Sequence, residues 1–249
     1  MGKLARTHAR DAHLFFWTIT MMTLSERKIH LLKAQQNAEQ LFRAIEKNGL
    51  IVPEKSEKIL NNEVYELAFQ MFGIRKYWHK RIVRAGKNTL LPYKENPSDL
   101  IIQTDDILFF DFGPVFEDWE ADFGRTYVLG NDPQKIKLKN DIESAWYEGK
   151  KYYDAHSSSL TGTQYYQYIS SLAEQYGWHF GNIHCGHLIG NFPHEHILGD
   201  EEHNYLHPNN HIKLSELDIQ GNPRDWILEI HFINKEKTFG GFFEQLLSV

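Results

Sequence analysis

"FFDFGPVFEDWEADFGRTYVLG", residues 109–130, decides how this chain is read. Asp-Phe-Gly occurs in it twice, at 111–113 and 122–124, so two carboxylates stand eleven residues apart inside apolar, aromatic runs. A charge in such a setting is costly unless something pairs with it. The pattern predicts strands over 106–112 and 123–129, joined as a hairpin. A hairpin symmetric about Phe116 and Glu117 sets Asp111 directly opposite Asp122, with Cβ atoms about 4.5–5.5 Å apart. Two bare carboxylates at that distance repel. A cation between them removes the conflict, and two cations about 3.5–4 Å apart fit the same opening. Hard divalent ions favour carboxylate oxygen. Gly113 and Gly124 each follow an Asp by two residues, on the same strand face, which leaves room beside the carboxylates.

Asp-Phe-Gly is also a protein-kinase word. The other kinase words, a matching Gly-rich loop, a Val-Ala-Ile-Lys strand and a His-Arg-Asp loop, are missing, and 249 residues are few for that fold. The alternative for the hairpin itself is a solvent-facing turn with two ordinary acids. Leu108, Phe109, Phe110, Phe112 and Phe123 argue against full exposure.

The surrounding sequence is that of a globular domain with 41% hydrophobic and 24% charged residues, and a net charge of −6. Acids and bases are interspersed, and no basic block offers a nucleic-acid footprint. The one cysteine, Cys185, rules out a disulfide within the chain and fits a reducing, cytoplasmic setting. The apolar run Leu14 to Met22 is too short and too polar-flanked to span a bilayer, so no membrane partner is expected. Residues 1–22 read as an N-terminal extension, with Met21 or Met22 as a candidate true start, and 23–249 as a single domain.

Ser25 is placed to cap a helix running to Asn48, and a second helix fits Ser56 to Phe72 before Gly73. Further helices fit 133–153 and 163–176, and strands fit 183–190, 226–233 and 239–247. The late strands have no helices between them. That favours an α+β fold with a mostly antiparallel sheet.

Three later stretches offer more donors. "HCGHLIGNFPHEH" (184–196) carries His184, His187, His194, Glu195 and His196. "WILEIHF" (226–232) sets Glu229 in an apolar strand, and "GGFFEQLL" (240–247) does the same for Glu244. Either Glu alone is readily explained by a salt bridge or a turn to solvent. Asp, Asp, His, Glu and Glu, each in an apolar setting, are harder to explain separately.

The ordered set Asp111, Asp122, His187, Glu229, Glu244 resembles the five-ligand signature of the pita-bread metallopeptidases, which include methionine aminopeptidases, aminopeptidase P and prolidase. "CGHLIG" resembles that family's Gly-His-x-Ile-Gly motif and "FPHE" its Phe-His-Glu, while "YWHKRIVRAGKNT" supplies His79 ahead of the first Asp. The resemblance covers 25–249 and implies the α+β pita-bread fold: a curved, mostly antiparallel sheet flanked by helices. It implies two divalent metal ions (Mn, Co, Fe or Zn). Asp111 would chelate one, Asp122 and Glu244 would bridge both, and His187 and Glu229 would complete the second site. A bridging water would be the nucleophile, Glu229 would relay its proton, His194 would bond the scissile carbonyl or oxyanion, and His79 would contact the substrate amide. No role follows for His184, His196 or His231.

The implied function is a metal-dependent aminopeptidase acting on a peptide substrate, with a homodimer as in many proline-specific relatives. Specificity stays open between a proline-containing and a small or Met-type first residue. A non-catalytic binding module on the same fold is the alternative from a different class. Two departures stand out. Gly124 occupies a position where relatives often carry a hydroxyl, and Phe242 one where proline-specific members usually carry Arg. The segment between His79 and Asp111 is longer than usual and fits a loop at the mouth of the site. The chain ahead of it is too short for the additional N-terminal domain of aminopeptidase P and prolidase.

Overall fold

The computed structural model describes residues 8–194, 201–218 and 221–249. His196 lies outside them. Helix α1 spans His8–Lys47. Ser25 is therefore interior to the helix and not its cap, because no glycine or proline between 8 and 25 stops the helix upstream. Helix α2, Glu57–Phe72, keeps the expected ends: Ser56 Oγ accepts from Ile59 N, and Gly73 closes it at φ 69°. Helix α3 is Pro133–His156, capped by Asp132. Helix α4 is Gly162–Tyr176, opened by a capping box between Thr161 and Gln164.

The strands are β1 (Ile82–Ala85), β2 (Ile107–Phe112), β3 (Val115–Phe116), β4 (Trp119–Glu120), β5 (Phe123–Val128), β6 (His179–Phe180), β7 (Ile227–Ile233) and β8 (Gly240–Leu246). Six of them form one sheet in the order β1-β2-β5-β8-β7-β6, with every neighbouring pair antiparallel. The expected strand at 183–190 is instead an irregular segment bonded on both sides. Cys185 N donates to Leu206 O, Leu188 N to Asn204 O, and Ile227 N to His187 O. Gly186 allows this close approach, since a Cβ there would lie 2.0 Å from Ile227 O.

Alternation along the strands sorts side chains to two faces. One face packs against the helices. Phe42 of α1 meets Phe110, Phe112 and Phe123 edge-on, with centroids 5.9, 5.8 and 4.8 Å away. Trp146 of α3 and Tyr165 and Ile169 of α4 pack with Leu228, Ile230 and Phe243. The other face carries the carboxylates.

The hairpin differs from its expected register. β3 and β4 close over a two-residue loop, Glu117–Asp118, with φ values of 50° and 65°. Its centre lies one residue beyond the expected one, so pairing slides by two: Asp111 faces Gly124, and Phe112 faces Phe123. Two-residue hairpin loops need positive φ at both positions, and Asn-Gly or Asp-Gly usually signals them. Glu-Asp gives no such signal. A slip of two keeps every side chain on its face, so both aspartates still point the same way.

Candidate metal centre

Pairing across four adjacent strands sets one row on the open face of the sheet. Asp111 of β2 faces Gly124 of β5, Gly124 faces Glu244 of β8, and Glu244 faces Glu229 of β7. Asp122 lies one step along, just ahead of β5. All four carboxylates are buried, from 1% exposure at Glu244 to 8% at Asp111 and Glu229. The glycine in the middle of the row admits the Phe242 ring, since a Cβ there would lie 2.6 Å from its Cδ1 and Cε1.

Two histidines enter from outside the sheet. His187 comes from the irregular segment, and its Nε2 lies 3.1 Å from Asp122 Oδ2 and 3.7 Å from Glu244 Oε1. His79 comes from the loop before β1, with Nε2 3.1 Å from Asp122 Oδ1 and 3.5 Å from Asp111 Oδ1. Among the described residues, two groups of donor atoms lie within 4.8 Å of one another: His79, Asp111 and Asp122, and Asp122, His187 and Glu244. Asp122 belongs to both. Glu229 stands beside them, 2.5 Å from His184 Nδ1, and it accepts from Asn182 Nδ2 at 3.2 Å.

The electrostatics are those of an over-crowded anionic site. Burial, and then the neighbouring Asp122 and Glu229, push Asp111 up to about 7 against the pull of His79. Burial and Asp122 likewise push Glu244 well above the usual carboxylate range. At Asp122 burial acts upward too, but His79 and His187 outweigh it and hold its carboxyl well below that range. Burial opposes the proton on His79, but Asp122 and Asp111 outweigh it and raise the imidazole to about 9. At Glu229 burial is outweighed by His184, which lowers the carboxyl. Glu244 Oε2 is buried with no hydrogen-bond partner. A buried acceptor is rarely left so, and four buried carboxylates around one space suit divalent cations with oxygen-rich ligands. The donor set therefore fits the metal pair.

The remaining histidines separate. His194 stacks on Trp78, centroids 4.3 Å apart and planes 15° from parallel, and its Nδ1 lies 2.9 Å from Glu120 Oε2. Trp78 is fixed in turn by its Nε1–H bond to Ala121 O. His231 is buried and in neither donor group, with Nε2 2.7 Å from Thr89 O. Sequence reasoning missed Glu120, a 1% exposed acid. Its only signal is a third acid in "EDWEAD", which reads as turn polarity. It also left His184 without a role, although the fold seats it on Glu229.

The long segment after β1 folds over the site. Arg84 bonds Leu91 O and Glu95 O, while Lys80 Nζ bonds Glu95 O and Asn96 Oδ1. Tyr93, held between these anchors, sets its ring at 74° to His79 with centroids 5.7 Å apart.

Comparison with known proteins gives a consistent answer. The sequence profile of metallopeptidase family M24 matches residues 30–234. An Xaa-Pro dipeptidase of Lactobacillus delbrueckii subsp. lactis is 25% identical over 191 residues, covering 75% of this chain and 50% of that protein. Prolidase from Thermococcus sibiricus superposes with a TM-score of 0.71 at 20% identity, over 90% of this chain and 56% of that one. Methionine aminopeptidase from Rickettsia prowazekii gives 0.66 at 16% identity, over 90% of this chain and 94% of that one. The fold is thus the α+β pita-bread fold. The chain spans about half the length of the curated relatives it matches.

Proposed function

The chain belongs to metallopeptidase family M24, and from that premise we propose that it is a metal-dependent aminopeptidase that removes the first residue of short peptides. The observation that carries the reading is that Asp111 and Asp122, and Asp122, His187 and Glu244, fall in two overlapping groups of donor atoms, with Glu229 paired to Glu244 across the sheet and Glu244 Oε2 buried without a hydrogen-bond partner. Asp111 would hold one divalent cation, His187 and Glu229 a second, and Asp122 and Glu244 would touch both. The ions are drawn from Mn, Co, Fe or Zn, all compatible with one imidazole among carboxylates. When bound, the pair supplies an acidified water as nucleophile and polarises the scissile carbonyl.

The chain's own groups do the rest. Glu229 accepts the proton given up in the attack and passes it to the leaving amine. His184, against Glu229, holds that carboxylate in place. With both ring nitrogens protonated, His194 donates from Nε2 to the carbonyl oxygen as charge develops there. Its Nδ1 is engaged by Glu120, so the ring is aimed before substrate arrives. Tyr93 and its anchored loop border the mouth and narrow access for water.

The name of the curated relative supports an Xaa-Pro substrate. Phe242 supports the other reading, a methionine-aminopeptidase-like preference, because it replaces the Arg usual in proline-specific members. Two equivalents of bound metal, together with hydrolysis across a dipeptide and tripeptide panel that Asp111→Ala abolishes, is the expected result. A metal-loaded protein that cleaves nothing, and that Asp111→Ala leaves unchanged, defeats the proposal.

A further inference from the structure

His79 and His187 are placed alike about Asp122. His79 Nε2 faces one carboxylate oxygen at 3.1 Å, and His187 Nε2 faces the other at 3.1 Å. Each ring has its Nδ1 2.7 Å from the carbonyl of the next residue, Lys80 for His79 and Leu188 for His187. A carbonyl only accepts, so Nδ1 carries the proton, and in the neutral ring the lone pair is on Nε2. Metal-ligating histidines are oriented in this way, with one nitrogen tied to a backbone carbonyl and the other free for the ion.

The His79 ring is also fixed in place. Its side chain is 5% exposed. A Cβ at residue 113 would lie 2.2 Å from His79 Cδ2 and 2.4 Å from Nε2, so glycine is what admits the ring there. Trp78 meets it edge-on at 4.4 Å and Tyr93 at 5.7 Å. With no ion present, a proton on Nε2 joins the ring to the Asp111 and Asp122 oxygens, and a cation held between the same atoms would take that proton's place. The resemblance gives His79 a place against the substrate amide, but the geometry points elsewhere.

We infer that His79 is a direct ligand of the cation held by Asp111, so that each cation of the pair has one imidazole, His79 on one side and His187 on the other. The inference rests on the metallopeptidase reading and adds a sixth ligand to it. The second Asp-Phe-Gly supplies the shared carboxylate, and the first supplies the glycine that lets the sixth ligand in.

The test uses the full chain, stripped with chelator and titrated with Co(II), followed by visible absorption, calorimetry and X-ray absorption. Wild type should take up two ions with an average of one imidazole per ion. His79→Ala should weaken one of the two by at least about 10-fold and halve the imidazole count, and free imidazole should restore both. His194→Ala, with its ring bonded to Glu120, should leave both affinities at the wild-type level. A wild-type count of one imidazole per two ions overturns the inference even if His79→Ala does not fold, and so does unaltered uptake by a folded His79→Ala. A wild type that takes up no ion overturns the metallopeptidase reading itself, and this inference with it.

Discussion

Asp111 lies directly across the sheet from Gly124, and not from Asp122. Each Asp-Phe-Gly thus sets its aspartate against the glycine of the other, since continuing the same register brings Asp122 level with Gly113. The two carboxylates are diagonal neighbours, with a roughly 7–8 Å separation between residues so placed. The space saved at each glycine is occupied by a particular ring. His79 fills it above Gly113, and Phe242 fills it above Gly124.

The Phe242 ring makes two departures from the family into one steric exchange. A Cβ at residue 124 would lie 2.6 Å from Phe242 Cδ1 and Cε1. Phe242 cannot easily retreat, because Thr126 Oγ1 donates to its carbonyl at 2.8 Å and accepts from its amide at 2.7 Å. Gly124→Ser, which restores the hydroxyl of relatives, should cost about 1–3 kcal/mol through overpacking. Combined with Phe242→Ala it should cost less than the two single changes added together, as neighbours sharing one volume do. Urea unfolding of the four proteins measures this; strict additivity would show that the two positions do not share space.

Acid and metal should each stabilise the site, at opposite ends of the pH range. Asp111 is raised from an ordinary 3.8 to about 7 in the folded chain, first by burial. An acid that binds its proton more tightly when folded stabilises fully below its unfolded value, and the contribution is lost as pH rises to the folded one. His79, raised to about 9 by Asp122 and Asp111 against burial, has the same sign over a higher window. The metal-stripped protein should therefore lose thermal stability from about pH 4 to 9. Metal should restore it, with affinity growing as pH rises. Asp111→Asn should flatten the lower part of the curve, up to about 7. Melting curves with and without chelator give the answer, and a metal-free stability that climbs from pH 5 to 8 contradicts it.

The parts legible in the sequence were those in which polarity conflicts with its setting. Asp111, Glu229 and Glu244 stand out because strand periodicity puts them where Phe, Leu and Ile should be, and no register is needed to see that. Register was the weaker inference. The Glu117–Asp118 loop adopts positive φ at both residues without glycine, so the centre of the hairpin carried no mark. Helix α1 passed Ser25 for the converse reason, since a residue that can cap does so only where the preceding chain leaves the helix. Glu120 was invisible because its burial comes from the fold, through Gly190 and His194, and not from its own neighbours in sequence.

Glu120 should matter through His194 and not through the metal. Its Oε2 is 2.9 Å from His194 Nδ1, and it also accepts from Gly190 N at 3.4 Å. Glu120→Ala should lower kcat by about 10- to 100-fold, as loss of an orienting partner of a functional histidine does. KM should change little and metal content not at all. Glu120→Gln keeps an acceptor for Nδ1–H and should recover most of the rate. Equal losses in Glu120→Ala and Glu120→Gln, or a fall in bound metal, would mean that Glu120 serves the fold and not the ring.

Asp122 is the residue shared by both groups of donor atoms, and Asp111 belongs to one. Their removal should therefore differ in stoichiometry. Asp111→Ala should lose one cation and keep the other on Asp122, His187, Glu229 and Glu244. Asp122→Ala should weaken both, because each of its oxygens faces a different histidine. Both variants should lower kcat by about 100-fold or more, since several kcal/mol of charge stabilisation go with the cations. Activity alone does not separate them; metal analysis after dialysis at low free metal does. One ion per chain in Asp111→Ala and fewer than one in Asp122→Ala is the expected pattern. Equal stoichiometry in the two variants would mean that Asp122 does not stand between the cations, and that the second Asp-Phe-Gly is placed beside the centre and not at its middle.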